Sequence, residues 1–315
     1  MRILVLGYNA FDVTVPVRGL PSADSKCEVA EILHGGGGPA ATAAVCLARL
    51  GARVRLVTVF GDDVGAAVQR RELLAAGVDC SLAVTAAGHR SPQAVILVDP
   101  AAATRTIFWS RGTLPALAAR SVDPAWLDDC DLFYSDGHEP LAAARLAAAA
   151  HTRDLPVVLD AGSVRGGTDA LVPLCTDVIA SRGFAPAFTG CSDPRAALEA
   201  LRRCGPPRVA MTCGEAGVLA LPLSPDDDGL FHIPAFDVPV IDTTGAGDAY
   251  HAGYAFARAR GDSWRASLEF AAAVAALKCR DWGGRRGLPT LAEVEALLAG
   301  GRRRRQSPAL DGRPE

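Results

Sequence analysis

From residue 2 to residue 214 the chain alternates short, almost wholly apolar runs with longer stretches of helical period, and that rhythm leaves few folds open. RILVLG (2–7), RVRLVTVFG (53–61), DLFYSD (131–136), PVVLDAG (156–162), DVIAS (177–181) and RVAMTCG (208–214) read as strands. PAATAAVCLARLG (39–51), DVGAAVQRRELLAAG (63–77), EPLAAARLAAAAH (139–151) and DPRAALEALRRC (193–204) read as helices, the first two closed by glycine. A strand that is apolar on both sides must be covered on both faces. The expected fold is therefore α/β, with a mostly parallel sheet between helical layers. At 315 residues, half of them hydrophobic, the chain is within reach of one large domain of this kind.

Two stretches break the rhythm. Residues 12–33 and 91–110 look extended, with alternation and turns but no helix between them. Such inserted strands form either a flap over a site or plain surface decoration. The end, GGRRRRQSPALDGRPE, is basic and contains proline. We expect a domain over 1–301 and a disordered basic tail over 302–315, solvated rather than bound to nucleic acid.

The charge balance excludes several partners. A formal charge of −3 and a pI near 6.1 give no global attraction to nucleic acid or to an anionic membrane. MRILVLGYN reads as a first strand, not a signal peptide, and no apolar run reaches about 18 residues, so a membrane span is not expected. The nine cysteines include no C-x-x-C pair and read as reduced thiols of a cytoplasmic protein. The six histidines lack zinc-site spacing.

One stretch carries chemistry: DTTGAGDAYHAGYAFA, 242–257. The run before it, 238–241, reads as a strand, and the run after it as a helix closed by Gly261. Glycine inside a helix costs roughly 1 kcal/mol relative to alanine, so Gly245 and Gly247 belong at the loop and first turn, where backbone approaches a ligand closely. A helix N-terminus presents unpaired N–H groups and partial positive charge, which suits phosphate. Asp248 directly behind that loop has two readings. It is a first-turn acid that stabilises the helix, or it accepts a proton from a hydroxyl attacking phosphorus. Spacing alone leaves both open. There is no G-x-x-x-x-G-K-[ST] loop, no dinucleotide fingerprint after strand 2–7 and no protein-kinase signature set.

DTTGAGDAYHAG resembles the C-terminal signature of the PfkB, or ribokinase-like, family of carbohydrate kinases. GGGGPAATAAVCLARLGARVRLVTVFGDDVGAAVQRRELLAAGVD resembles its N-terminal signature region. The order of elements agrees, including Asp12 after the first strand and RVAMTCGEAG before the nucleotide end, over about residues 2–300. Within the family, GGGPAATAA and VAALKC…GGRRG are most similar to sulfofructose kinases, and ALKC also to ketohexokinases. The resemblance implies a three-layer α/β/α sandwich with a small β lid. It implies transfer of the γ-phosphoryl group of ATP to a sugar hydroxyl, with Asp248 as general base and the N–H groups of Gly245, Ala246 and Gly247 as anion hole. Asp12, Gly37, Gly38 and Thr42 would meet the sugar. Thr212, Gly214, Gly217 and Cys279 would lie at the nucleotide. Mg²⁺ would arrive with ATP. Asp242 and Thr243 stand where some members bind a monovalent cation such as K⁺. Lid strands in this family often pair across a dimer, so a homodimer through the lid is an expectation.

Three departures stand out. Thr42 replaces a common asparagine and offers one hydroxyl where asparagine offers an acceptor and two donors. Ser181-Arg182-Gly183-Phe184 replaces a common N-x-x-E segment, removing a carboxylate that would order Mg²⁺ water. Trp109 and Arg111 fall in what is often a short polar turn. Arg105 and Arg111 either reach an anionic group on the substrate or are solvated lid arginines. A nucleoside kinase of the same fold would use Phe11, Phe108 and Trp109 against a base. A non-catalytic sugar-binding regulator would have no need of the base in G-A-G-D.

Overall fold

A computed structural model describes residues 1–102, 104–224 and 229–304. The chain runs β1 (Arg2–Leu6), β2 (Ala10–Pro16), β3 (Leu33–Gly37), α1 (Pro39–Arg49), β4 (Arg53–Val57), β5 (Val59–Phe60), α2 (Val64–Ala75) and β6 (Val84–Thr85). It continues through β7 (Gln93–Asp99), β8 (Thr104–Ser110), β9 (Leu132–Ser135), α3 (Pro140–His151), β10 (Val157–Ala161), α4 (Thr168–Leu171), β11 (Asp177–Ser181) and α5 (Phe184–Thr189). The last elements are α6 (Pro194–Arg203), β12 (Arg208–Thr212), β13 (Val218–Ala220), β14 (Phe231–Ile233), α7 (Ala246–Arg260), α8 (Trp264–Lys278) and α9 (Leu291–Gly300).

The expected α/β sandwich is present. Eight strands form one sheet in the order β14-β13-β12-β11-β10-β9-β1-β4. The six from β4 to β12 are parallel, and β13 and β14 add antiparallel edges. Period-2 alternation divides the strand side chains between two cores. Ile3, Val5, Tyr134, Val158 and Ile179 pack with α1, α7 and α8, while Leu4, Leu6, Phe133, Leu159 and Val178 pack with α3 and α6. Between α7 and α8 the packing is so close that a Cβ at Gly253 would lie 2.9 Å from the Val274 side chain.

The two irregular stretches build a second sheet, β3-β2-β7-β8, as the lid expectation required. Its strands overrun the first stretch, expected over 12–33, at both ends: β2 begins at Ala10 and β3 runs on to Gly37. The second strand of the first stretch, Leu33–Gly37, takes in three of the four glycines of the run.

Residues 238–241 do not form the expected strand. Pro239 has no N–H for a ladder. The N–H groups of Ile241 and Asp242 turn instead to the carbonyl of Cys279, at 2.8 and 3.3 Å. The end of the chain is also more ordered than expected. Asp237 N donates to Arg302 O (2.9 Å), Arg304 N donates to Ala235 O (2.8 Å), and the Arg303 guanidinium lies 3.5 Å from the centre of the Phe236 ring. Residues 305–315 of the predicted tail lie outside the described residues. All nine cysteines are unpaired, and six are buried. No helix among the described residues is long and apolar enough to cross a membrane.

Candidate active site

Helix α7 starts on a glycine for a steric reason. Gly245 is its N-cap, at φ 75°, and a Cβ there would sit 2.7 Å from the carbonyl oxygen of Gly284. Only glycine meets both conditions without strain. Gly247 is different: a Cβ there would meet no protein atom within 4 Å. Its bareness leaves room for something outside the chain. The N–H groups of Gly245 and Gly247 have no protein acceptor among the described residues, whereas Ala246 donates to Thr243 O (3.1 Å) and closes the turn. Two of the three N–H groups assigned to the anion hole are thus open, and the third holds the loop.

Asp248 is in the first turn of this helix, partly open to the cleft. Burial, reinforced by Asp160, raises its carboxyl to about 7. A base with a value near neutrality combines an available unprotonated form with enough basicity to take a proton. Beneath it lies His251, one turn on. Its Nδ1 is 2.7 Å from Gly247 O and 3.3 Å from Asp160 Oδ1, and its Nε2 is 3.1 Å from Ile179 O. Burial lowers the imidazole value and raises that of Asp160. The ring pins the Asp248 turn to β11. Tyr134 donates to the other oxygen of Asp160 (3.0 Å). Asp160 and Asp136 stand at the carboxyl ends of β10 and β9, where ligands of open parallel sheets sit.

On the lid side, Asp12 is nearly buried on β2, and burial raises its carboxyl to about 7 against the pull of Arg285. The glycines of β3 exist to let side chains cross. A Cβ at Gly37 would lie 2.0 Å from Asp12 Oδ2, and one at Gly36 would lie 1.9 Å from Arg285 Nη1. Gly38, at φ 85°, abuts the Asn9 backbone. Arg285 Nη2 donates to Gly37 O (2.8 Å), Nη1 faces Glu72 Oε2 (3.5 Å), and Nε lies 3.5 Å from the hydroxyl of buried Thr42. Arg285 therefore stands beside the position where the family has asparagine. Asp248 raises the carboxyl of Asp12, and Arg285 lowers both, so the two acids belong to one electrostatic cluster.

The nucleotide-side expectations converge on one cavity of about 220 Å³. Thr212, Gly214, Gly217, Thr243, Ala246, Gly247 and Cys279 all line it, with Val238, Phe236 and Tyr250 supplying an apolar wall. The two lid arginines part company. Arg105 Nη1 donates to Thr243 Oγ1 (2.6 Å), which places it over the loop that leads to Gly245. Arg111 lines a separate cavity of about 290 Å³ with Tyr8, Asn9, His138 and Glu139, and has no ion pair among the described residues.

Among the described residues, no three His, Cys, Asp or Glu side chains come together to hold a metal ion. Ser181, in the segment that lacks the family carboxylate, donates its hydroxyl to Gly162 O (3.0 Å). The residues also do not fit a monovalent cation at Asp242. Both carboxylate oxygens already accept hydrogen bonds: Oδ1 from Thr244 N (2.8 Å) and Thr244 Oγ1 (2.7 Å), and Oδ2 from Gly283 N (2.8 Å). The main-chain oxygen of Asp242 accepts from the ammonium of Lys278, at 3.1 Å. The Thr243 hydroxyl faces Arg105.

Sequence reasoning missed Asp136, Asp160, His251, Lys278 and Arg285. Their signals were slight: single acids ending apolar strands, a histidine three residues after Asp248, a lone lysine in an alanine-rich helix and a doublet in GGRRG.

Comparison with known proteins finds relatives along nearly the whole chain. The family model described as pfkB family carbohydrate kinase matches residues 1–291. An ATP-dependent ribose-1-phosphate kinase of Halopiger xanaduensis is 31% identical over 95% of this chain and 98% of its own length. A nucleoside kinase of Methanothermobacter thermautotrophicus is 25% identical over 93% of this chain and 94% of its own. The crystal structure of a putative ribokinase from Agrobacterium tumefaciens superposes with a TM-score of 0.88 at 28% identity, covering 95% of this chain and 97% of that one.

Proposed function

Because the chain belongs to the pfkB family of carbohydrate kinases, we propose that Asp248 is the general base of a phosphoryl transfer from ATP to a sugar hydroxyl. The observation that carries this reading is the position of Asp248. Its carboxyl, raised to about 7, stands in the first turn of a glycine-started helix, between the nucleotide cavity and the Asp12 cluster.

MgATP enters with its base along the apolar wall of Val238, Phe236 and Tyr250 and its phosphates toward Gly247 and Thr243. Arg105 lies over the same loop and meets phosphate charge from the lid. The acceptor is oriented by Asp12, with Gly37, Gly38 and Thr42 forming its floor. Its hydroxyl gives a proton to Asp248 as its oxygen bonds to the γ-phosphorus, and ADP leaves. The N–H groups of Gly245 and Gly247 accept the charge spread over the moving phosphoryl oxygens.

The acceptor is a small sugar or a sugar that already carries an anionic group. Arg111, without an ion pair and beside a polar cavity, supports the second form, as does the ribose-1-phosphate kinase relative. A nucleoside acceptor is the second reading. Phe11 stacks on His34 at the lid, ring centres 5.8 Å apart, and offers a face to a base. The lid also supports a homodimer: Val95, Ile107, Phe108 and Trp109 are exposed on β7 and the edge strand β8. Nine unpaired cysteines support a cytoplasmic setting.

The test is ADP release with MgATP across pentoses, hexoses, their phosphates and nucleosides, with Asp248→Asn alongside. The variant should bind ATP as the parent does and lose about 10²–10⁴-fold in kcat. Retained turnover in the variant overturns the assignment of the base.

A further inference from the structure

Lys278 is the last residue of α8, and no part of it is exposed to solvent. A buried ammonium is costly unless oxygen atoms replace its water. Here two main-chain carbonyls do so. Nζ donates to Asp242 O at 3.1 Å and to Asp281 O at 3.3 Å. Neither oxygen belongs to a carboxylate. The positive charge therefore does not serve a simple ion pair; it gathers two backbone segments 39 residues apart in sequence.

Those segments are the ones that shape the catalytic loop. Asp242 begins the turn that leads through Thr243 to Gly245, and its carboxylate is held by Thr244 and Gly283. Asp281 begins the segment whose Gly284 carbonyl presses on Gly245, where a Cβ would meet it at 2.7 Å. An ammonium and a potassium ion carry the same charge and have similar radii, and both are coordinated by carbonyl oxygens. The difference is that the ammonium of Lys278 is covalently attached.

We propose that Lys278 is a built-in monovalent cation, which holds the two walls of the anion-hole loop together and removes any need for K⁺. This inference rests on the kinase reading above. Lys278 touches neither substrate in this scheme, and is a positioning residue acting through Asp242 and the Gly245 turn.

The experiment uses the full chain and two readouts, kinase turnover and thermal midpoint. Each is measured in chloride salts of tetramethylammonium, Na⁺, K⁺ and NH₄⁺ at one ionic strength. For the parent protein, both should be the same in all four salts, within about twofold for turnover. Lys278→Met takes the donor from the buried carbonyl of Asp242 and the part-buried one of Asp281, so turnover should fall by about tenfold or more in tetramethylammonium. K⁺ and NH₄⁺, but not tetramethylammonium, should restore part of both turnover and thermal midpoint. If parent turnover rises severalfold with K⁺ over tetramethylammonium, the proposal is overturned. It is equally overturned if Lys278→Met is as active and as stable as the parent in every salt. Should Lys278→Met fail to fold, the parent measurement decides alone. A parent with no kinase turnover at all would defeat the kinase reading instead, and the thermal midpoints would still report whether a free cation binds.

Discussion

Three alanine substitutions in one short stretch separate the roles that glycine plays at this site. At Gly35 a Cβ would lie 3.7 Å from Glu72 Oε1, an ordinary contact, and the stability change should stay within about 0.5 kcal/mol. At Gly37 the Cβ would lie 2.0 Å from Asp12 Oδ2 and 2.4 Å from its Cγ. The backbone there is fixed by pairing of Gly37 with Ala10, so the carboxylate must swing away. Losing hydrogen bonds to a charged group costs about 1.5–3 kcal/mol. At about 1.36 kcal/mol per factor of ten, the acceptor KM should rise roughly 10- to 100-fold. The ATP KM and thermal midpoint should change little. At Gly38 the obstacle is backbone: the Cβ would lie 2.5 Å from Asn9 Cα and 2.7 Å from Tyr8 O, at φ 85°. A strained dihedral of that kind costs about 1–3 kcal/mol, and overpacking adds about 1–3 kcal/mol. The midpoint should drop on the order of ten degrees, with activity lost through folding. Steady-state kinetics and a melting curve for each variant make the comparison. A Gly37→Ala enzyme with an unchanged acceptor KM would refute the placing of Asp12 at the acceptor.

Two further outcomes follow from the electrostatics and the lid. The carboxyls of Asp248 and Asp12 both titrate near 7, and both act ionised, so kcat/KM for the acceptor should fall as pH drops below about 7, with a limiting slope between one and two. Stability should move the other way: folded values above the ordinary carboxylate value of about 4 mean that the folded state binds more protons between about 4 and 7, so stability declines as pH rises through that window. A pH-independent profile from 5 to 8, a span set on the order of the shifts themselves, would contradict both assignments. Arg105→Leu removes the 2.6 Å bond to Thr243 and should raise the MgATP KM by about tenfold while leaving the midpoint in place, so an unchanged KM would move Arg105 back among solvated lid residues.

Much of the fold was legible because strands buried on both faces must be apolar throughout. DVIAS at 177–181 matches β11 residue for residue. The motif at 242–257 was legible too, since two glycines and an acid at a helix start have few other uses. What escaped was whatever depended on distant backbone. The run 238–241 has the composition of a strand, but its following N–H groups find Cys279 O and not a neighbouring strand. Nothing in the sequence shows why glycines stand at 36 and 37; the side chains of Arg285 and Asp12 that cross them do. Arg105 and Arg111 are six residues apart on the lid and looked equivalent, yet one leans to Thr243 and the other lines the Tyr8 cavity. Lys278 announced itself only as a charge in an apolar helix, since the carbonyls that explain it are not encoded by side-chain type.

Arg285 ties the far end of the chain to Gly37, Thr42 and Glu72. During synthesis the first half of the sheet and its lid have all their own strands long before residue 285 is made. Asp12 and its counter-charge thus come from opposite ends of the sequence, and the electrostatics around Asp12 are complete only when the helical end is docked on β3.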